Sequence, residues 1–344
     1  MSLLDGDRLP PTVSERIIVR LAGEVVHDEH VGDKDATFAL LCVSKPVFAL
    51  AALNFLLGRD DVSLDDPVRP FLPAAFGPRF DSVRIGDLLT HSSGITRDAT
   101  PGRWSEARFQ RWIAGSPVDP ARGPTYSVMT GWYVLSLAME NASGLDRTAF
   151  ARRFGVEPFG ARLGFGPLAS GEQPPLPVMN RETGDREPDL WWADAPEIME
   201  RAWPGSGFRG GAEDLMRIFG ALATGGERDA LPKPLRAAAD LLERPAGDGL
   251  STDGEGKHAF AFSHGALVGS QWLGQRPGRE ALGHDSGTGS FVLADPGREL
   301  AVVYLSNLVR EPVESLLRRR RLVKRIYDRL ENDQHENDQP GNGR

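Results

Sequence analysis

The sequence predicts a mixed α/β fold of the α+β kind, with one antiparallel sheet built from N- and C-terminal strands and flanked by helices. Three observations predict it. β-Branched runs lie near the N-terminus, strongly apolar helical stretches lie in the middle, and short apolar runs separated by turn residues fill the last third. If strands from the two ends pair, a mainly helical region lies beside the sheet. The cleft between the two parts is then the natural place for a site.

The first half of the chain contains a predicted hairpin and two predicted helices. Residues 16–31 carry β-branched runs on both sides of Ala22-Gly23-Glu24, a pattern that is typical of a hairpin. Residues 42–57 and 125–143 are apolar runs that are followed by glycine, and each predicts a helix. Residues 59–100 are rich in loop residues, so only short helices are expected there.

The second half begins irregularly and ends in strands and a helix. Residues 160–205 hold many Pro and Gly residues and predict an irregular region over a pocket, whereas residues 211–226 predict a helix. The runs A-F-A-F-S-H-G-A-L-V-G, S-F-V-L-A-D-P and E-L-A-V-V-Y-L-S-N predict antiparallel strands. A helix is predicted over residues 311–330. The polar tail over residues 331–344 has almost nothing to bury and is predicted to be disordered.

Together these elements predict one domain over residues 1–344, although length alone would also allow two. The predicted sheet subdomain takes residues 14–65 and 205–330, and the helical region takes residues 66–204.

Charge and composition exclude several classes of function. The formal net charge is −8, whereas a general binder of nucleic acid or of an acidic membrane needs a basic face. No window approaches 18 consecutive apolar residues, so no membrane span is expected. The N-terminus lacks a basic segment followed by an apolar core, so no signal peptide is expected, and a cytoplasmic location is the resulting prediction. The single cysteine excludes an intrachain disulfide.

No metal and no organic cofactor are expected. The seven histidines are scattered, and the sequence contains neither H-E-x-x-H nor C-x-x-C. P-loop and dinucleotide-binding patterns are also missing from it.

A cysteine and a lysine lie three residues apart at the start of the first predicted helix. Residues i and i+3 share a helix face, so Cys42 and Lys45 can converge, whereas Ser44 and Lys45 point about 100° apart. The free N–H groups of a helix N-terminus would stabilise a thiolate, and a desolvated lysine is a usable base. The pair can equally rest as thiolate and ammonium. The alternative is that Cys42 is a small core residue, because free cysteines are often buried.

Three stretches follow one another over residues 37–95: F-A-L-L-C-V-S-K-P-V-F-A-L-A-A-L, G-R-D-D-V-S-L-D-D-P-V-R-P-F-L-P and I-G-D-L-L-T-H-S-S-G-I. In this order and spacing they resemble class C β-lactamases and their esterase and acyltransferase relatives. The resemblance returns at G-S-G-F-R-G-G-A-E-D-L-M-R-I-F and at G-H-D-S-G-T-G-S-F-V-L-A-D-P. It implies a β-lactamase/transpeptidase-like fold and a covalent acyl-enzyme. Cys42 then stands at the position of the serine in the family's S-x-x-K motif.

The family's second motif, Y-x-N, is only partly present. P-T-Y-S-V matches it at Tyr126, but Val128 stands where asparagine is usual. The resemblance implies that the Tyr126 hydroxyl is the second acid/base and relays a proton to the leaving group. The missing asparagine removes a side-chain donor, which argues against β-lactam hydrolysis.

The family's third motif falls at H-D-S-G, just before a predicted strand. The resemblance implies that His284 lies across the pocket and contacts Tyr126 or the substrate. A backbone N–H near Ser286 or Gly287 would form the oxyanion hole with the N–H of Cys42. The alternative is that His284 is a turn residue without a catalytic role.

Other residues of the helical region are expected to support the site. His91, in T-H-S-S-G, is interpreted as a residue that braces a loop. Some of the tryptophans of this region are expected to line an acyl or aromatic pocket, with Trp132 as the substrate-binding candidate, and the others to serve packing. These tryptophans are Trp104, Trp112, Trp132, Trp191 and Trp192.

Cysteine in place of serine changes the favoured reaction. An acyl-cysteine is a thioester, which prefers amines over water more strongly than an oxygen ester does, and a thiol needs less help from a base. The leading prediction is therefore an acyltransferase of small-molecule biosynthesis that forms an amide. Its partners are a small-molecule acyl donor and an amine or alcohol acceptor. The donor is an ester, a coenzyme A thioester or a carrier-protein thioester.

Three alternatives stay open at this point. The first is an esterase or amidase of the same fold, and the second is a non-catalytic binding or scaffold protein. The third is that Cys42 replaces a native serine, which would leave the fold unchanged and restore serine chemistry.

Overall fold

An eight-stranded antiparallel sheet brings the two ends of the chain together. The structure is a computed structural model. It describes residues 2–4, 9, 11, 13–100, 104–166, 178–179, 201–253, 256–269, 276–310 and 312–338.

The strands are β1 (Glu15–Leu21), β2 (Glu24–Val31), β3 (Phe38–Ala39), β4 (Gly164–Phe165), β5 (Val178–Met179), β6 (Phe208–Gly210), β7 (Gly247–Asp253), β8 (Gly256–Phe262), β9 (Leu267–Val268), β10 (Leu282–Asp285), β11 (Phe291–Asp295), β12 (Leu300–Ser306) and β13 (Leu308–Val309). The α-helices are α1 (Ser44–Leu57), α2 (Ile85–Leu89), α3 (Glu106–Ala114), α4 (Thr130–Ser143), α5 (Arg147–Ala151), α6 (Ala212–Ala223), α7 (Gly225–Ala230), α8 (Lys233–Glu243) and α9 (Pro312–Asp338).

The large sheet has the strand order β2-β1-β12-β11-β10-β9-β8-β7. β1 and β2 form the predicted hairpin, whose two turn residues, Ala22 and Gly23, both have positive φ. Positive φ at both positions is what a type I′ hairpin turn requires, and glycine meets this at the least cost. β1 then pairs with β12 from Glu15↔Ser306 to Leu21↔Leu300, so the predicted pairing of the two chain ends is confirmed.

Each face of the sheet covers its own hydrophobic core. Side chains alternate along a strand, so Ile18 of β1 points into the core that contains α1, α4 and α6. Ile17 and Val19 point to the opposite side, where they pack with Ile326 and Tyr327 of α9. The sheet is thus a middle layer between the C-terminal helix and the helical remainder.

Two smaller sheets complete the described fold. β3, β6 and β4 form one, in which β3 pairs with β6 from Phe38↔Gly210 to Ala39↔Arg209. β13 and β5 form the other. The first of these holds the chain just before Cys42 against residues 208–210.

Several boundaries differ from the prediction. The helix predicted over residues 42–57 begins at Ser44, because residues 42 and 43 belong to the 3₁₀ turn Leu41–Val43 that precedes it. The helix predicted over 125–143 begins at Thr130, where a side chain from a distant loop caps it. The helices at residues 225–230 and 233–243 were not predicted.

The last helix extends into the tail that the composition predicts to be disordered. α9 continues through Asp338, since residues 331–338 include neither proline nor glycine, and each residue added to a helix gains a hydrogen bond. Most of the segment over 160–205 that was predicted to be irregular lies outside the described residues. Among the described helices, none combines the length and the apolar character that crossing a membrane requires.

Candidate active site

Cys42 lies in a tight 3₁₀ turn, Leu41–Val43, directly before α1. Leu41 has φ +48°, a left-handed conformation that residues with a side chain adopt only under constraint. The constraint is visible, because the Leu40 N–H donates to the Phe208 carbonyl at 2.9 Å. Leu41 and Val43 are buried, whereas Cys42 is partly exposed. The turn therefore presents the thiol at the surface while its neighbours anchor it in the core.

Lys45 is fully buried in the first turn of α1. Its Nζ donates to the Gly205 carbonyl at 2.9 Å and lies 5.2 Å from the centroid of the Tyr126 ring. A Cβ at position 205 would lie 3.0 Å from the Val128 carbonyl oxygen and 3.2 Å from Trp132. Glycine at this position lets the backbone pack closely against Val128 and Trp132 while its carbonyl accepts from Lys45. Gly205 carries no signal in the sequence apart from the family stretch that begins there.

Ser44 is excluded as an exposed nucleophile. It is fully buried, and its Oγ accepts a hydrogen bond from the Phe208 N–H at 3.1 Å. Among the residues of the C-V-S-K stretch, Cys42 is the one that offers a nucleophilic atom to solvent.

The Tyr126 ring is held between two other rings. The His91 ring centroid lies 4.9 Å away, and Phe262 stacks on it at 6.0 Å with an interplanar angle of 20°. The Tyr126 hydroxyl lies 3.4 Å from His284 Nε2. Burial raises the pKa of Tyr126 well above its usual value, and the charge of Cys42 and a side-chain hydrogen bond with Cys42 raise it further. Tyr126 is thus a neutral phenol that contacts both the thiol and the imidazole.

The hydrogen bonds of His284 assign its tautomer. Its Nδ1 lies 2.7 Å from the Asp285 carbonyl oxygen, which can only accept, so Nδ1 carries the proton. In the neutral ring Nε2 is then an acceptor, and the Tyr126 hydroxyl donates to it. Burial, followed by the charge of Lys45, lowers the pKa of His284 to about 4. At neutral pH the imidazole is therefore uncharged, and its Nε2 accepts the Tyr126 hydrogen bond at the end of a thiol–phenol–imidazole chain.

His91 braces the Tyr126 segment, as the sequence predicts. Its Nδ1 accepts from the Ser127 N–H at 2.9 Å, and its carbonyl accepts from the Thr125 N–H at 2.8 Å. Burial and the charge of Lys45 hold the pKa of His91 well below its ordinary value, so Nδ1 stays an acceptor. His91 thus fixes the backbone on both sides of the tyrosine.

Ser286 and Gly287, the two residues expected at the oxyanion hole, have different surroundings. The Ser286 N–H donates to the Ser290 carbonyl at 2.8 Å, and its hydroxyl pairs with Thr288 Oγ1 at 2.8 Å. These bonds close the turn between β10 and β11, so the Ser286 N–H already has a partner in the protein, and substrate binding by Ser286 stays a prediction. Gly287, the next residue, is exposed, and it remains the candidate oxyanion donor.

The prediction that Trp132 lines the substrate pocket is wrong. Trp132 is fully buried in α4, with its ring edge-on to His91 at 5.8 Å, so it supports the wall behind Tyr126. Trp104 and Trp112 are half-buried and contact one another at 5.6 Å. Trp191 and Trp192 lie outside the described residues.

Asp98 is a site residue that the sequence did not indicate. Its carboxylate accepts from the backbone N–H groups of Val128, Met129 (3.1 Å) and Thr130 (2.8 Å), which start α4. It thereby anchors the chain where the family's asparagine is replaced by Val128, whose side chain is 37% exposed. An aspartate in a loop some thirty positions upstream offers no sequence signal for this contact.

Across the described residues, no cluster of His, Cys, Asp and Glu side chains is suited to a metal ion. The described site brings a thiol, a phenol and an imidazole into contact, and such groups can exchange protons.

Comparisons with known proteins agree with this geometry. A family model described as Beta-lactamase matches residues 14–325. A penicillin-binding protein homologue from Caulobacter crescentus is similar at 21% identity and a TM-score of 0.71, covering 91% of this chain and 92% of that one. EstCE1, described as a hydrolase with promiscuous acyltransferase activity, is similar at 19% identity and a TM-score of 0.67, with coverages of 90% and 93%. Simvastatin synthase from Aspergillus terreus, as a LovD6 mutant, is similar at 17% identity and a TM-score of 0.70, with coverages of 93% and 91%. A search of the curated proteins finds no match.

At these identities the solved structures show a shared fold. The family match is broader evidence, because it runs from β1 into α9 and includes every site residue described above. The chain therefore belongs to the beta-lactamase family.

Proposed function

We propose that this protein is an acyltransferase that works through a thioester on Cys42 and passes the acyl group to an amine. The observation that carries the proposal is the partly exposed Cys42 thiol beside the hydroxyl of the half-buried Tyr126, which in turn contacts a neutral His284. Such a chain removes a proton from the nucleophile and returns it to a leaving group.

The first half-reaction forms the thioester. Cys42 Sγ attacks the acyl carbonyl of the donor while its proton moves to the Tyr126 oxygen and the tyrosine proton moves to His284 Nε2. The positive charge of Lys45 near the Tyr126 ring stabilises negative charge that develops on the phenol oxygen. Collapse of the tetrahedral intermediate breaks the bond to the donor's alcohol or thiol, which takes the proton back through Tyr126.

The second half-reaction reverses the direction of the proton. An amine attacks the thioester carbonyl, the C–S bond breaks, and the amine proton passes through Tyr126 to the departing sulfur. The products are an amide and the free Cys42 thiol. The backbone N–H groups of Cys42 and Gly287 are the proposed donors to the oxyanion in both steps.

Intact-mass measurement tests this proposal. The protein is incubated with a panel of acyl donors that contains an activated ester, a coenzyme A thioester and a carrier-protein thioester. We expect an acyl adduct on the parent protein that Cys42→Ala lacks and that an added amine discharges faster than water does. Ser44→Ala is the matched control, because Ser44 belongs to the same stretch but is buried.

The other outcomes each favour a different function. An adduct that water discharges as fast as an amine does would indicate a hydrolase. No adduct with any donor, on a Cys42 that still reacts with a thiol reagent, would indicate a non-catalytic protein. A Cys42→Ser variant that turns over faster than the parent would indicate that serine is the residue this site suits.

A further inference from the structure

Asp285 contacts His284 twice and also reaches the C-terminal helix. Its carbonyl oxygen lies 2.7 Å from His284 Nδ1, and its carboxylate Oδ1 lies 3.8 Å from the same nitrogen. Its other carboxylate oxygen forms an ion pair with Arg319 of α9, whose side chain is only 6% exposed. One aspartate thus connects the imidazole of the site with a buried guanidinium on the far side of the sheet.

The motifs discussed above assign no role to Asp285 and do not include Arg319. Asp285 stands between His284 and Ser286 in H-D-S-G, and Arg319 lies in the basic run of the last helix. A carboxylate beside an imidazole normally favours the imidazolium, which could not accept a proton from Tyr126. The opposite charge of Arg319 on the same carboxylate offsets this effect.

We propose that Asp285 and Arg319 are positioning residues that hold the Nδ1-protonated tautomer of His284 and tune the basicity of its ring, so that Nε2 faces the Tyr126 hydroxyl. The Asp285 carbonyl selects the tautomer, and the Arg319 guanidinium compensates the Asp285 carboxylate. The inference rests on the proposed function in one respect, namely the use of His284 as the proton acceptor.

The charged and titratable groups around His284 come from several elements. They are Lys45 of α1, Tyr126 and His91 of the helical region, Asp285 of β10 and Arg319 of α9. Lys45 and Arg319 lower the pKa of His284, and Asp285 raises it. Removing Arg319 or the Asp285 charge should therefore move the imidazole titration in opposite directions. If the two residues served only the fold, both substitutions would shift the His284 titration in the same direction.

The test is nitrogen-15 NMR of the histidine rings in the full-length protein, with the His284 signal assigned by its loss in His284→Gln. We expect the wild-type ring to be neutral and Nδ1-protonated at pH 7. Arg319→Met should raise the His284 titration midpoint by about one pH unit, and Asp285→Asn should lower it. Arg319→Lys, which retains the charge and guards against a folding defect, should restore the wild-type midpoint.

Arg321→Met is the matched control, because it removes an equal charge from an exposed position on the same helix and should leave the midpoint unchanged. Shifts of both variants in one direction, or no shift in either folded variant, would overturn the inference.

The measurement separates this inference from the proposed function, since it needs no turnover. Opposite shifts without any acyl-Cys42 would leave the positioning role intact and refute the proposed reaction. An acyl-Cys42 without the opposite shifts would support the proposed reaction and refute the positioning role.

Discussion

Gly265 is the position where one added methyl group should disturb the wall of the site most. It has φ +112°, and a Cβ there would lie 2.2 Å from Ala49 Cβ of α1 and 3.2 Å from the Trp132 ring. The backbone conformation costs an L-residue about 1–3 kcal/mol, and overpacking a tight core costs about 1–3 kcal/mol more. Gly265→Ala should therefore lower the free energy of unfolding by about 2–6 kcal/mol.

Urea denaturation followed by circular dichroism measures this loss. Gly226→Ala is the control, because its Cβ would meet nothing within 4 Å on the exposed helix α7, and it should leave stability unchanged or raise it. Ala49→Gly removes the atom that clashes, so the double variant should recover about 1–3 kcal/mol relative to the sum of the single changes. Additive effects, or a Gly265→Ala variant as stable as Gly226→Ala, would refute the clash.

Three further predictions concern the site directly. Tyr126→Phe should slow acylation of Cys42 by about 100- to 10,000-fold in stopped-flow assays, because it removes the proton relay; an unchanged melting temperature would show that the ring stacking persists. Asp98→Ala should lower the free energy of unfolding by about 1–2 kcal/mol in denaturant titrations, since three backbone N–H groups lose their cap, and a neutral result would contradict the capping role. His284 takes up a proton near pH 6.5 when unfolded, but its pKa is about 4 when folded, so the unfolded chain binds more protons between these values. The free energy of unfolding should therefore fall by about 3 kcal/mol from pH 6.5 to 4 on account of this residue, and His284→Gln should show a shallower slope.

Local sequence signals predicted the parts of the fold that depend on periodicity and turn residues. The hairpin around Ala22-Gly23 follows from two β-branched runs and a turn that tolerates positive φ. The burial of α1 follows from a run that is apolar on all sides, because such a helix has no face suited to water. The closure of the sheet by β1 and β12 follows from strands at both ends of the chain.

Contacts between segments that are far apart in the chain could not be predicted from such local patterns. Leu41 adopts its left-handed conformation because residues 208–210 hold the preceding strand, and no local pattern indicates this. Trp132 was assigned to the pocket from its residue type, whereas its burial depends on the close approach of glycine backbone at Gly205 and Gly265. Ser286 was assigned from a motif, but the use of its N–H depends on the geometry of the turn that follows.

The joining of the first and last strands has a consequence for synthesis on the ribosome. Lys45 and Gly205 are 160 residues apart, and Tyr126 and His284 are 158 apart, so the site draws on nearly the whole described chain. A nascent chain that has emerged only through β9 lacks β10, β11 and β12, which leaves one edge of β1 unpaired and the apolar helix α1 incompletely covered. Such an intermediate exposes surfaces that favour aggregation, and its long-range contacts form slowly. The thiol thus gains its acid–base partners only after translation has passed β10, so incomplete chains cannot carry a working site.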